Sequence, residues 1–542
     1  MAHVNLMTDT IIANLPEEGL RSVLRSMLAT DPSITKNLEQ RTKVYLTTQS
    51  ATPKGDLFTQ DGTTPAVTPI FLAQQGRIRA MMGCGMCYES IPLLAAIVVQ
   101  TKDLAISTVD SPEVQQALTA VNGDIIQALT AVQKTLVTSS GLRTLEDSEH
   151  LIISSLHQAL LEGQQSLSRC GTYAFDRSLV ALQASGLLSE AKHNRESEPH
   201  EEDRITISAL PETVETFKLN GKSLPRLFCG LWQLSSPSWG CAPVTRIRSQ
   251  FAQYASQGFT AYDMADHYGD AEIIFGNFRA SCHNPEALFG ATKYCIFTPT
   301  TITRQVVQAN ITERCQRMSA SHIDLLQFHW QDYNDPQYIT ALQYLQEDPR
   351  VHSLGLCNFD TSHMLEIISN GTVKIATNQV QFSLIDSRPL SRMAQVCKTH
   401  HIKLLTYGTL LGGFLSEKWL DEPEPELFSS TITPSQRKYY EMILNWGSWD
   451  LFQELLHILE GIAGKHGVSL SNVATRWVLD FEFVGAVIVG TRWGISDNAE
   501  DNLRVYGLHL DEEDRQRIES VLRRSRRDVI VALLGDCGGE YR

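Results

Sequence analysis

An alternation constrains this chain more than any other feature. Eight short β-rich segments are separated by helical stretches over about 300 residues of the C-terminal part. They run Leu227 to Trp232, Thr260 to Asp263, Leu288 to Thr292, Asp324 to Phe328, His352 to Leu356, Thr377 to Val380, Lys403 to Tyr407 and Val484 to Val489. Parallel neighbours need a crossover helix between them, and eight such units close a sheet on itself. The expected fold class is therefore α/β, a (β/α)8 TIM barrel. An N-terminal β-hairpin precedes it, because ETFKLNGKSLPRLF carries Asn220-Gly221 as a tight turn. In such barrels the reactive end is the one where strands reach their carboxyl termini.

At 542 residues the chain exceeds one ordinary domain. Ser189 to Arg204 (SEAKHNRESEPHEEDR) is a run of acids and bases with almost nothing apolar, which reads as a solvated linker. The expected organisation is a separate, mostly α-helical domain over 1–188 with no assigned role, the charged linker over 189–204, and the barrel over 205–542. In the first of these, Leu20, Val23, Leu24, Met27 and Leu28 share one helical face. A longer stripe runs from Val114 through Leu118, Val121, Ile125, Leu129 and Val132 to Leu136, and another from Leu151 through Leu156 and Leu160 towards Leu167. Residues 48–69, rich in Thr, Pro and Gly, read as a long loop.

Several function classes are disfavoured. The formal charge is −15 and no basic patch interleaves with aromatics, so no nucleic-acid partner is expected. The longest apolar run, Ile91 to Val99, is too short for a membrane span. The first residues lack the charged and apolar regions of a signal peptide. Eleven scattered cysteines then read as reduced thiols in a cytoplasmic protein. Cys84-Gly85-Met86-Cys87 is a lone CxxC without a second pair, and is read as two buried cysteines. His150 and His157 share a helical face with no third ligand. No metal is expected. No GxGxxG follows a first strand and no hydrolase elbow is visible.

Four polar residues stand at the ends of strands two, three and four: Asp263, Tyr268, Lys293 and His329. A lone tyrosine or histidine at such a place usually packs or caps. The four in order, on successive strand ends, form a carboxylate, a phenol, an amine and an imidazole suited to carbonyl reduction. A carbonyl must gain a hydride at carbon and a proton at oxygen, and a phenol beside an ammonium can deliver that proton. The segments AYDMADHYGD, GATKY and LLQFHWQDY that hold them resemble the catalytic tetrad of the aldo-keto reductase family, and the resemblance extends over roughly 214–520. It implies that Tyr268 is the general acid, that Lys293 lowers its pKa, that Asp263 holds Lys293, and that His329 orients the carbonyl. No side chain supplies a hydride, so a nicotinamide cofactor is implied.

By the same resemblance, Asn358 in GLCNF and Gln379 in TNQVQF hydrogen-bond the nicotinamide carboxamide. Tyr407 in LLTYGTLLGG stacks on the ring. Gly408, Leu410 and Gly412 belong to the loop crossing the pyrophosphate. In VIVGTRWGISDNAEDN, Gly490, Thr491 and Arg492 lie where a 2′-phosphate is bound, and Asp501 with Asn502 faces the adenine. NADP, as NADPH, is implied, with NAD as the alternative, because Asn498 stands where many members carry a second basic residue. Trp232 and Trp330 are candidates for the substrate pocket. The aromatic stretch Leu415 to Trp449 reads either as a lid or as a small core of its own. Two readings follow. One is an NAD(P)H-dependent oxidoreductase acting on a small-molecule carbonyl or alcohol. The other is a non-catalytic nicotinamide-binding regulatory module whose helical domain binds a partner. The sequence leaves the oligomeric state open.

Overall fold

A computed structural model describes residues 11–48, 55–59, 66–104, 111–138, 141–167, 174–188, 204–235, 240, 242–429 and 432–541. The charged linker, Arg204 apart, lies outside the described residues, as does most of the loop expected over 48–69.

The C-terminal part is the expected barrel. An antiparallel hairpin, β1 (Thr216–Leu219) and β2 (Lys222–Pro225), turns at Asn220 and Gly221, both with positive φ. Eight parallel strands follow: β3 (Leu227–Gly230), β4 (Ala261–Asp263), β5 (Phe289–Ile296), β6 (Leu325–Trp330), β7 (Leu354–Cys357), β8 (Thr377–Gln381), β9 (Lys403–Tyr407) and β10 (Val484–Gly490). They pair in sequence order, and β10 returns to β3 through Val487–Leu227 and Gly490–Gly230, closing the cylinder. Each strand matches a β-rich segment of the sequence to within a few residues. Phe217, Leu219 and Leu224 of the hairpin pack against Phe228, Phe289, Leu325 and Leu405 at the amino ends of the strands. That end is thereby plugged with apolar side chains, and only the carboxyl end is left for chemistry.

The N-terminal part is helical: α1 (Glu17–Thr30), α2 (Thr35–Thr48), α3 (Pro69–Gly83), α4 (Cys87–Gln100), α5 (Pro112–Thr135), α6 (Asp147–Leu167) and α7 (Asp176–Ala184). Ser111 caps α5 by accepting from the Val114 amide, with Pro112 at the first helical position. The stripe read from the sequence becomes the core-facing side of α5, with Val114, Leu118, Val121, Ile125, Leu129 and Val132 all buried. Leu156 and Leu160 of α6 are buried with them, whereas Leu151 at its start is 72 % exposed. The first stripe behaves differently: α1 is a helix, but it buries none of its residues, and Val23, Leu24 and Met27 stay exposed. Cys84 and Cys87 are buried free thiols. Ile273 of the barrel is built into the core of the helical part.

Candidate active site at the barrel mouth

Strand alternation aims the polar set inward. In β6, Gln327 and His329 share the parity that faces the barrel axis, while Phe328 and Trp330 face the surrounding helices. Asp263 ends β4, Lys293 lies inside β5 opposite Gln327 of β6, and His329 lies opposite Cys295. Tyr268 follows on the loop from β4 to the helix Ala271–Ala280.

The four expected residues come together. Lys293 Nζ lies 2.6 Å from Asp263 Oδ2 and 3.2 Å from the Tyr268 hydroxyl, and donates to the Met264 carbonyl at 2.9 Å. The ammonium also sits 4.6 Å from the centre of the Tyr268 ring. Asp263, Lys293 and His329 are buried, and Tyr268 is half-buried. His329 Nδ1 lies 3.1 Å from the Cys357 carbonyl oxygen. A carbonyl only accepts, so Nδ1 carries the hydrogen and a neutral ring keeps its lone pair on Nε2. Burial pushes the Tyr268 phenol above its ordinary range, and the Lys293 ammonium pulls it back down. Burial is the largest single influence and would lower Lys293, but the Asp263 carboxylate and the Tyr268 phenol together more than offset it and hold the amine protonated above its usual value. The expectation that Lys293 lowers the phenol thus describes one of two opposing effects, and burial is the larger.

Asp263 is held from its other oxygen. Gln327 Nε2 donates to Oδ1 at 3.0 Å and Gln379 Nε2 at 2.6 Å, and Gln379 Nε2 also donates to Gln327 Oε1 at 3.0 Å. Gln379 therefore spends one amide hydrogen on the tetrad carboxylate and the other on Gln327, and has only its oxygen left to offer. Gln327 was not singled out in the sequence; its inward parity two residues before His329 is the signal that marks it. Phe297, just past β5, was also missed. It is 47 % exposed and its ring lies 5.4 Å from His329, which places it on the mouth wall. Trp330, a candidate for that wall, takes the opposite parity. It is buried against Phe328 and Tyr338, in the layer between strand and helix. Trp232 is 46 % exposed just past β3.

Asn358 follows β7 with φ 57°, a left-handed conformation that asparagine tolerates better than most residues. Its Oδ1 accepts from the Tyr407 hydroxyl at 2.9 Å. That hydroxyl is shared with Tyr541, 3.0 Å away, which in turn accepts from Lys438 at 2.9 Å. Tyr541 belongs to a C-terminal tail that crosses the mouth. Its ring lies 5.7 Å from His329, Glu540 pairs with both terminal nitrogens of Arg388 at 2.9 and 3.2 Å, and the Thr361 amide donates to Asp536 at 3.0 Å. The stretch after Leu415 forms no core separate from the barrel: Trp419, Tyr440, Trp449 and Phe452 surround Phe414 as part of the barrel's packing.

At the far side, Gly408 and Gly412 take positive φ in a tight turn over Leu410 to Gly413. Gly490 ends β10. The Thr491 hydroxyl donates to the Gly230 carbonyl at 3.0 Å and so braces the strand end. The Arg492 carbonyl accepts from the Ile495 and Ser496 amides, while the guanidinium of this half-buried residue has no hydrogen-bond or ion-pair partner among the described residues. Asp501 accepts from Ser469 at 2.9 Å and Asn472 at 3.2 Å, and Asn502 beside it is half-buried. The donor set suits a nicotinamide dinucleotide: amides at one end, glycine turns between, and an unpaired guanidinium at the other.

The chain is similar to several known proteins. Flagellar radial spoke protein 5 of Chlamydomonas reinhardtii is 30 % identical over 192 residues, a match covering 32 % of this chain and only 36 % of that protein. Methylglyoxal reductase DkgB of Escherichia coli O157:H7 is 24 % identical, covering 49 % of this chain and 83 % of that one. Glyoxal reductase of Bacillus subtilis is 22 % identical, covering 58 % and 94 %. Among solved structures, the glycerol dehydrogenase AKR11B4 from Gluconobacter oxydans is 22 % identical with a TM-score of 0.47, covering 58 % of this chain and 97 % of that one. The model of the aldo/keto reductase family matches residues 226–523, the barrel almost from first strand to last helix, and the chain belongs to that family.

Proposed function

We propose that the protein reduces a small aldehyde or ketone to the alcohol, or oxidises the alcohol in reverse, using NADPH or NADP. The observation that carries this reading is Lys293 Nζ, set 2.6 Å from Asp263 and 3.2 Å from the Tyr268 hydroxyl. The bound nicotinamide supplies or accepts the hydride. Tyr268 holds the proton that a carbonyl oxygen must receive. With its pKa raised by burial, the phenol is protonated at neutral pH and can donate; the fixed ammonium beside it favours the phenolate left behind. Asp263 keeps that ammonium in place, and His329 presents a polar edge to the same oxygen. Asn358, the Gln379 oxygen and Tyr407 would hold the nicotinamide end of the cofactor. The turn Gly408–Gly412 would let the pyrophosphate approach, and Gly490, Thr491 and Arg492, with Asp501 and Asn502, would hold the adenosine end. An unpaired arginine favours NADP over NAD. The names of two relatives, methylglyoxal and glyoxal reductase, recommend short dicarbonyls as first substrates.

The test is NADPH consumption with methylglyoxal, glyoxal and a panel of aldehydes and ketones. With the best substrate, Tyr268→Phe is expected to lower kcat by about 10²–10⁴-fold while cofactor binding stays. Unchanged turnover in that variant would rule out Tyr268 as the acid.

A second reading has one observation in its favour: the match to a flagellar radial spoke protein. A nicotinamide-binding barrel inside a larger assembly would bind NADPH, quench its fluorescence and turn over no carbonyl in the panel.

A further inference from the structure

The loop that carries Tyr268 is gripped by the helical part of the chain. Residues 264–270 (MADHYGD) connect β4 to the next helix, and two carboxylates flank the tyrosine on it. The Asp266 side chain has no exposed surface and that of Asp270 only 2 %. The barrel satisfies each in part. Asp266 accepts from the Cys295 amide at 3.1 Å, and Asp270 accepts from Ser235 at 2.5 Å. His267 Nδ1 also lies 3.1 Å from Asp266 and the barrel's Arg314 3.8 Å, but the closest permanently charged partner of each carboxylate comes from outside the barrel. Lys134 of α5 reaches Asp266 Oδ2 at 2.5 Å. Arg177 of α7 clasps Asp270 with two parallel bonds of 2.9 and 2.8 Å, and its own side chain is only 2 % exposed.

Between these two anchors the backbone has no slack. Gly269 has φ +59°, and a Cβ there would lie 2.5 Å from Ser235 Cβ and 3.1 Å from Ile126 Cγ2 of α5. Gln127, beside Ile126, donates to the Ser235 carbonyl at 3.1 Å. Arg317 donates to the Gly269 carbonyl from the barrel side. The turn is thus packed between barrel and helices, tied by an ion pair two residues before Tyr268 and another two residues after it. Bidentate and buried pairs of this kind fix geometry more than they add net stability.

We infer that the helical part is a positioning element for the acid loop, and that Lys134 and Arg177 are positioning residues through which it sets the Tyr268 hydroxyl against Lys293. The consequence for turnover rests on the assignment of Tyr268 as the acid; the consequence for the loop does not.

The experiment uses the full-length chain. Lys134→Ala, Lys134→Arg and a control, Lys102→Ala, are compared with wild type by hydrogen exchange of residues 264–271 and by steady-state kinetics. Lys102 pairs with Glu162 within the helical part, so the control removes the same charge without touching the loop. Lys134→Ala is expected to speed exchange in 264–271 while that of 377–381 is unchanged. It should lower kcat about tenfold to a hundredfold at constant cofactor affinity, a sub-ångström displacement being enough for such losses. Lys134→Arg is expected to restore both, and Lys102→Ala to match wild type. Wild-type exchange in 264–271 of Lys134→Ala would overturn the inference. So would a fall in kcat that Lys134→Arg does not rescue, or one accompanied by equal losses in cofactor affinity and melting temperature. If Lys134→Ala does not fold, Lys134→Gln carries the same comparison. A wild-type enzyme inert towards every carbonyl would sink the proposed reaction and leave the exchange result to judge the loop.

Discussion

At the residue scale, the site depends on a buried ion pair whose two ends are both hydrogen-bonded. Asp263 receives Lys293 on one oxygen and two glutamine amides on the other. Asp263→Asn leaves the buried ammonium without a counter-charge, which costs about 3–5 kcal/mol when one member of a buried pair is removed. The expected outcome is a much larger drop in unfolding free energy, by denaturant titration, than Tyr268→Phe gives. The amine's folded pKa is raised, so the pair's contribution is intact at neutral pH and is lost only as pH climbs past the ordinary lysine value towards the higher folded one. The tetrad was legible because chemically distinctive residues stood at strand ends. Gln327 was not, since one glutamine in LLQFHW looks like a strand residue until the parity of His329 is imposed on it. The same parity sends Trp330 away from the mouth.

At the element scale, the barrel strands were readable because turn-bounded apolar segments of the right length cannot be packed in many ways. The C-terminal tail was not, because nothing in GDCGGEYR carries strand or helix periodicity. Its path is set by tertiary contacts: Arg388 takes Glu540, and Gly538 turns with φ 80° directly against the Asn358 carbonyl. A Cβ at Gly538 would meet that carbonyl, and the left-handed backbone adds about 1–2 kcal/mol for any L-residue. Gly538→Ala is therefore expected to lower the melting temperature. It should also free the Tyr407 hydroxyl from Tyr541, which shows as faster exchange over 536–541. The aromatic stretch after Leu415 had two readings in the sequence, a lid or a small core of its own, and its packing around Phe414 makes it instead part of the barrel's core.

At the scale of the whole molecule, two cores, one helical and one in the barrel, are joined by apolar contacts of Ile273 and Ile126 and by buried ion pairs. Lys134 first, then His267 and Arg314, hold the Asp266 carboxyl well below the ordinary range in spite of its burial, and Arg177 lowers that of Asp270. A depressed carboxyl adds stability above its unfolded value of about 3.9, and that stability is lost as pH falls through this value towards the folded one. Acidification from about pH 5 to about pH 2 is expected to loosen the helical part from the barrel before the barrel itself unfolds. Limited proteolysis with an acid-stable protease would show this as cleavage within 1–188 ahead of cleavage within 205–542. The helices themselves could be read from their stripes, but this docking could not. In the sequence Lys134 and Arg177 are ordinary helix charges, and only the folded loop shows what they pair with.

The packing of Ile126 on Gly269 has a pharmacological consequence. A compound wedged beneath that isoleucine would slow the enzyme without resembling either a dinucleotide or a carbonyl. It would spare any related reductase that lacks these helices, because the surface it binds would not exist there.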